Sequence, residues 1–231
     1  MSGDSFFHLD HIRTLAGSRK LAEWDHDKME SALEVIKCPK DPGHQRGGKR
    51  LTNLSVVLPN GEVQDFIWTW QSECIMQART LEILRSNGLT GFEVKPVVAR
   101  FRKSIRRPPP LWELVVTEWA GCAKPESGIH LNDQASCHTC AHLKYTGLSN
   151  PRELIDKKVW DGSDFFMVWP LPRYVFVSER VVKTLQDHHL TGVQIVSASD
   201  LKMTDGFTPG RLRYYMPDAR ARELGEPLGI Y

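Results

Sequence analysis

The sharpest chemical feature of this 231-residue chain is Cys137-His138-Thr139-Cys140. Two thiolates three residues apart on one turn aim both sulfurs at one point, which is half of a tetrahedral zinc site. The other half has to come from elsewhere, because no second Cys-x-x-Cys exists. The best complement is Cys38-Pro39-Lys40-Asp41-Pro42-Gly43-His44, about 100 residues upstream in a Gly/Pro loop. It carries a Cys, an Asp where a second Cys would stand, and a His, and both Asp and His bind zinc. The expected ligands are Cys38, His44, Cys137 and Cys140, with His142 and Cys122 in reserve.

Other uses of a paired cysteine fit less well. A redox pair follows a strand and opens a helix. Here the pair follows the polar stretch Gly128–Ser136 and precedes the strand-like Leu143-Lys144-Tyr145. A zinc deaminase shows Pro-Cys-x-x-Cys with an upstream His-x-Glu. Ser136 stands in place of that Pro, and none of the nine His is followed two places on by Glu. The bland alternative is that Cys137 and Cys140 hold nothing, as Cys74 and Cys122 read most simply as small packing residues.

No nucleophile elbow, P-loop, dinucleotide fingerprint or His-Glu-x-x-His occurs. His188-His189 fall at a helix end, where capping is the simpler role. Asp25 and Asp27 are expected on a charged helix face, where carboxylates usually have no burial to tune them. The chain is therefore expected not to be an enzyme. Thirty basic and 28 acidic residues leave +2, far from the charge of a histone-like binder. One stretch is locally basic: Arg100-Phe101-Arg102-Lys103-Ser104-Ile105-Arg106-Arg107. It could meet phosphates, guard an exposed edge strand, or face an acidic protein. A membrane span is excluded by the lack of a run of about 20 apolar residues. The N-terminus carries no secretory pattern. With an odd cysteine count, a cytoplasmic location is expected.

These residues must be placed by an ordinary globular chain, 41% apolar and 25% charged. Helical spacing of Leu21, Trp24, Leu33 and Ile36 predicts a helix over 18–37, with Ser18 as its cap. Lys37–Arg50 reads as loop. Leu54–Leu58 and Val63–Trp70 read as strands joined by a Pro59-Asn60-Gly61 hairpin turn. A helix over Ser72–Asn87 follows, stopped by Gly88. Strands then follow at Phe92–Phe101 and Trp112–Trp119, with Arg106–Pro110 as an exposed extended link.

The second half echoes this order. Asp164-Phe165-Phe166-Met167-Val168-Trp169 parallels Asp65-Phe66-Ile67-Trp68. Ser178-Glu179 parallels Ser72-Glu73 as a helix start. Leu190-Thr191-Gly192 parallels Leu89-Thr90-Gly91. Leu212–Met216 is expected as a closing strand like Leu111–Thr117. The expected fold is α+β, in two similar halves, each an aromatic-rich antiparallel sheet with a helix, and possibly a duplication. The expected division is an N-terminal helical extension (1–37), a first half (38–119) and a second half (120–231).

Several phrases are familiar in combination. A knuckle in each half, Trp-Glu-Leu-Val-Val-Thr (112–117), Pro-Glu-Ser-Gly-Ile (125–129), Trp-Asp-Gly-Ser-Asp-Phe-Phe (160–166), Trp-Pro-Leu-Pro-Arg-Tyr (169–174) and Pro-Leu-Gly-Ile (227–230) together resemble the double-CXXCG motif family. That family includes immunity proteins for Sit-type contact-delivered toxins of gliding social bacteria. The resemblance runs from about residue 38 onward. Two departures stand out: Asp41 replaces the second Cys of the first motif, and Ala141 replaces the Gly of the second. The resemblance implies a protein that neutralises a cognate toxin domain by binding it, with Cys38, Cys137 and Cys140 as zinc ligands and nothing catalytic. Such binding favours aromatic and Arg anchors. Trp24, Arg102, Lys103, Arg106 and Arg107 are the candidates. A zinc-knuckle nucleic-acid-binding protein is the alternative, which the balanced charge disfavours.

Overall fold

The computed structural model describes residues 5–12, 21–29 and 32–231. Its strands are β1 (Phe7–Asp10), β2 (Glu23–Trp24), β3 (Leu33–Lys37), β4 (Gln45–Arg50), β5 (Ser55–Leu58), β6 (Phe66–Trp68), β7 (Cys74–Gln77), β8 (Phe92–Phe101), β9 (Leu111–Val116), β10 (Trp119–Cys122), β11 (Phe165–Trp169), β12 (Val175–Val177) and β13 (Gln194–Ser197). Its helices are α1 (His26–Met29), α2 (Ala78–Ser86), α3 (Glu179–Asp187), α4 (Leu212–Tyr215) and α5 (Asp218–Gly225). The fold is α+β. One sheet runs β2-β5-β8-β9-β7-β6, a second runs β10-β11-β12-β1-β13, and β3-β4 is a separate hairpin.

The strand sequences explain this layering. β11 is an unbroken apolar run, Phe165 to Trp169, and every residue in it is buried. A strand covered on both faces needs no polar alternation. Phe165, Met167 and Trp169 enter the main core, while Phe166 and Val168 enter a second cluster behind the sheet. In the other sheet Phe66, Trp68, Cys74 and Met76 face the same main core, and Ile67 and Ile75 face a third cluster. The main core thus lies between the two sheets, with Leu81 and Leu84 of α2 and Val181 and Leu185 of α3.

The two Leu-Thr-Gly turns bind reciprocally across the molecule. Thr191 N and Oγ1 both donate to Asp65 Oδ2 at 2.9 Å. Thr90 N and Oγ1 donate to Asp164 Oδ2 at 3.0 and 3.3 Å. Phe66 N donates to Thr191 O, and Phe165 N to Thr90 O. Arg79 pairs with Asp65 and Arg180 with Asp164. Gly91 and Gly192 admit this approach: a Cβ on either would lie 2.0 Å from the carbonyl oxygen of Phe165 or Phe66. The sheets also share a pattern. β9 lies antiparallel between β7 and β8, and β1 lies antiparallel between β12 and β13.

Several expected elements differ. In the 18–37 segment, the described residues form β2, the single turn α1 and β3 rather than one helix, and Ser18 lies outside the described residues. Tertiary partners override the helical spacing here. Asp25, expected on an unburied charged face, is instead buried and clamped by Arg100 Nε and Nη2, both at 3.1 Å, and β2 pairs with β5. Residues 37–50 belong to the β3-β4 hairpin rather than a free loop. No hairpin joins β5 to β6, because β2 and β8 occupy both edges of β5. The 72–87 helix begins only at Ala78, since the buried Cys74-Ile75-Met76 is a strand between β6 and β9. Leu212–Tyr215 is helical. The sheet position expected for it is filled by β1.

Candidate metal centre

The β3-β4 register creates one side of the site. Lys37 pairs with Gln45, so the residues just beyond the paired ends, Cys38 and His44, are brought together across the loop. Asp41 shapes that loop. Its Oδ1 accepts from Gly43 N at 2.8 Å, its backbone oxygen accepts from His44 N at 3.0 Å, and its Oδ2 lies 3.1 Å from His44 Nε2.

The other side is a tight knuckle. Cys137 N donates to His142 O at 2.8 Å, and His142 N returns to Cys137 O at 3.0 Å. Cys140 N and Ala141 N donate to Cys137 O and His138 O, each at 3.4 Å. The turn closes through Ala141 at φ 52°, the left-handed region. Glycine adopts that region freely, which gives the Gly of a CXXCG motif a physical reason. Arg211 Nη2 donates to Cys140 O at 2.9 Å and Nη1 to Tyr231 O, tying the knuckle to the C-terminal segment.

The two sides meet. One ligand atom from each of Cys38, His44, Cys137 and Cys140 can be chosen so that all lie within 4.8 Å of one another. Cys38 Sγ is 3.7 Å from Cys137 Sγ, and Cys140 Sγ is 3.9 Å from His44 Nδ1. Zinc–sulfur bonds of about 2.3 Å at tetrahedral angles place neighbouring sulfurs about 3.8 Å apart, so the donor set fits a tetrahedral metal ion. All five cysteines are free thiols. His44 presents Nδ1 to the cluster while Asp41 holds Nε2, the carboxylate–histidine arrangement that orients a metal-bound imidazole.

The electrostatics suit a cation. His44 is the largest cause drawing the Cys137 thiol down to about 6. Burial, then the neighbouring Cys38 and Cys137 sulfurs, push Cys140 up to about 12. Neighbouring thiols without a cation resist sharing several negative charges. A divalent ion removes that conflict.

The sequence ligands Cys38, His44, Cys137 and Cys140 are therefore brought together. Of the reserves, His142 holds its ring 4.6 Å from that of His44 and tilted 39° to it, and Cys122 sits exposed on β10 outside the cluster. Asp41 stands behind His44 rather than in the donor set.

The partner candidates are dispersed. Trp24 is half-buried, packs against the third cluster and donates from Nε1 to Glu73 Oε2 at 3.3 Å, so its polar edge is engaged within the fold. Arg102 pairs with Glu23 on the surface. Lys103, Arg106 and Arg107 are exposed, and among the described residues no ion pair holds them. Fully exposed Ile105 stands in their midst. A cleft of about 750 Å³ is lined by this loop and Asn60–Val63, which touch where Lys103 N donates to Asn60 Oδ1 at 3.1 Å.

Sequence reasoning missed the buried Glu73 and Glu113. Glu73 accepts from Thr69, Trp24 and Tyr214. Glu113 pairs with Arg50, yet burial outweighs that pairing and raises its carboxyl above the usual range. Neither an acidic residue read as a helix start, Glu73, nor one inside a strand-like run, Glu113, carries a local signal of such partners.

No known family model matches this chain, and no curated protein matches its sequence. Among the described residues no helix is long and apolar enough to cross a membrane.

Proposed function

We propose that this is a cytoplasmic immunity protein that binds a cognate bacterial toxin domain and occludes it, with zinc as a structural ion in the Cys₃His cluster. The observation that carries the reading is the meeting of Cys38 and His44 with Cys137 and Cys140. It brings together the two segments that the resemblance to the double-CXXCG family pairs, one a knuckle and the other a hairpin loop. The cluster draws two distant segments together around closed ligation, as structural zinc does. The exposed Arg102–Pro110 loop is the contact surface in this reading, with Ile105 as an apolar anchor and Lys103, Arg106 and Arg107 as a cationic rim.

Co-expression with the toxin domain encoded beside it tests the reading. Cells should survive, and the two proteins should co-purify as a stable complex. Rescue without a complex overturns occlusion. The exposed cations also motivate nucleic-acid binding; affinity for DNA or RNA falling steeply with salt would favour that class.

The reciprocal Asp65–Thr191 and Asp164–Thr90 bonds also support descent of the two halves from one duplicated unit.

A further inference from the structure

The six-stranded sheet is notched. Beyond Val97, which pairs with Leu111 of β9, residues 98–101 of β8 continue and pair with β5 alone. Successive residues of a paired strand turn their N–H and C=O groups to alternate sides. Val98 N donates to Leu54 O and Arg102 N to Leu58 O, so Val98, Arg100 and Arg102 face β5. Ala99 and Phe101 face the other way, toward the space that a longer β9 would fill. Among the described residues no backbone hydrogen bond joins their N–H groups to residues 102–110, which lead into β9.

That returning segment cannot complete the ladder. Continuing the β8-β9 register would set Pro109 against Ala99, with Pro108 and Pro110 on either side. Proline has no N–H to give and is confined to sheet edges. Phe101 instead lines a cleft of about 750 Å³ together with Gln77 and residues 60–63 and 106–109.

The cleft therefore offers bare backbone donors and acceptors beside apolar side chains, Val63, Pro108 and Pro109. Its charge is one-sided. Among the described lining residues Arg106 and Arg107 are set against one carboxylate, Glu62. Exposed Lys103 stands beside it, its N donating to Asn60 Oδ1 at 3.1 Å. A second copy of this chain would bring the same cations to the same edge and be repelled, which is how edge charges keep sheets apart. An extended segment with acidic side chains is attracted. Strand addition of this kind draws affinity from main-chain bonds and specificity from side-chain contacts.

We infer, resting on the toxin-occlusion reading above, that the notch takes an extended acidic strand of the toxin domain. The strand pairs with Ala99 and Phe101, and its carboxylates meet Lys103, Arg106 and Arg107.

Amide hydrogen exchange resolved residue by residue tests this, on the full chain alone and bound to the toxin domain encoded beside it. In the free chain Ala99 and Phe101 should exchange at least about tenfold faster than Arg100, whose N–H faces β5. In the complex both should slow at least about tenfold while Arg100 changes little. Arg106→Glu/Arg107→Glu should weaken the complex at least about tenfold, an effect of about 1.4 kcal/mol or more. Arg106→Lys/Arg107→Lys should retain most of the affinity. Unchanged circular dichroism shows that the variants fold. Three results overturn strand addition and leave occlusion standing: slow exchange at Ala99 and Phe101 in the free chain, a complex that leaves both exchanging as before, or affinity indifferent to charge reversal. Absence of any complex overturns occlusion itself, and strand addition with it.

Discussion

The two sides of the Cys₃His cluster are built on different principles. The Cys137–His142 knuckle is local. Six consecutive residues close on themselves through four backbone hydrogen bonds, so its shape is set by the segment itself. The Cys38–His44 side is not a knuckle of that kind. Its two ligands flank a hairpin loop, and their spacing depends on the β3-β4 register and on Asp41. A site of this type needs only one preformed half. The other can exchange a thiolate for an imidazole if a strand pair and one carboxylate hold that imidazole in place.

The largest effect should come from breaking the local half. Cys140→Ser should reduce zinc from one ion per chain to none, measured by elemental analysis, and strip the metal's folding contribution. In zinc-finger peptides that contribution is about 10–16 kcal/mol. Retention of one tightly held ion in Cys140→Ser would break the assignment. Chelation of the wild type should lower its melting temperature, while the same chelator should leave the variant unchanged.

The hairpin side should show the next effect. Asp41→Ala removes the carboxylate behind His44 and should weaken zinc affinity about 10- to 100-fold in a competition titration. His138→Ala, on an exposed ring paired with Asp133 at 3.1 Å, should leave affinity unchanged. Equal losses in the two variants would show that Asp41 has no special role. Arg211→Ala leaves Cys140 O without its donor and should cost about 1–3 kcal/mol in denaturant unfolding.

The smallest effect has the opposite sign. Ala141→Gly should stabilise the knuckle by about 1 kcal/mol, because glycine takes the left-handed turn without the Cβ penalty. Destabilisation would mean that the Ala141 methyl, which is buried, contributes more by packing than it costs in strain.

The same contrast between local and distant causes sets what the sequence reveals. Cys137-x-x-Cys140 is legible because its geometry is carried by neighbours in the chain. His44 is legible by chemistry, being a soft-metal ligand in a loop with a spare Cys. The hairpin that positions it is not, because Pro42, Gly43, Gly47 and Gly48 look like loop while β4 is fixed by pairing with β3. The α+β class and the span of β8 follow from apolar runs. The 18–37 segment misleads because Leu33 and Ile36 fit a helical stripe, while β3 is held by its register with β4. Repetition of Leu-Thr-Gly is visible in sequence. That each turn docks on the opposite Asp-Phe strand is not, because the partners lie far apart in the chain.

The position of β1 has a consequence for how the chain is made. Phe7 pairs with both Val177 and Ser197, so β1 is an interior strand whose two neighbours are made long after it, far along the chain. Until those neighbours emerge, Phe7 and Leu9 have no sheet to enter. Closing so long a loop is slow more than it is costly. The six-stranded sheet, whose members all lie between Glu23 and Val116, can assemble during synthesis. The five-stranded sheet is completed only once β12 and β13 have been made.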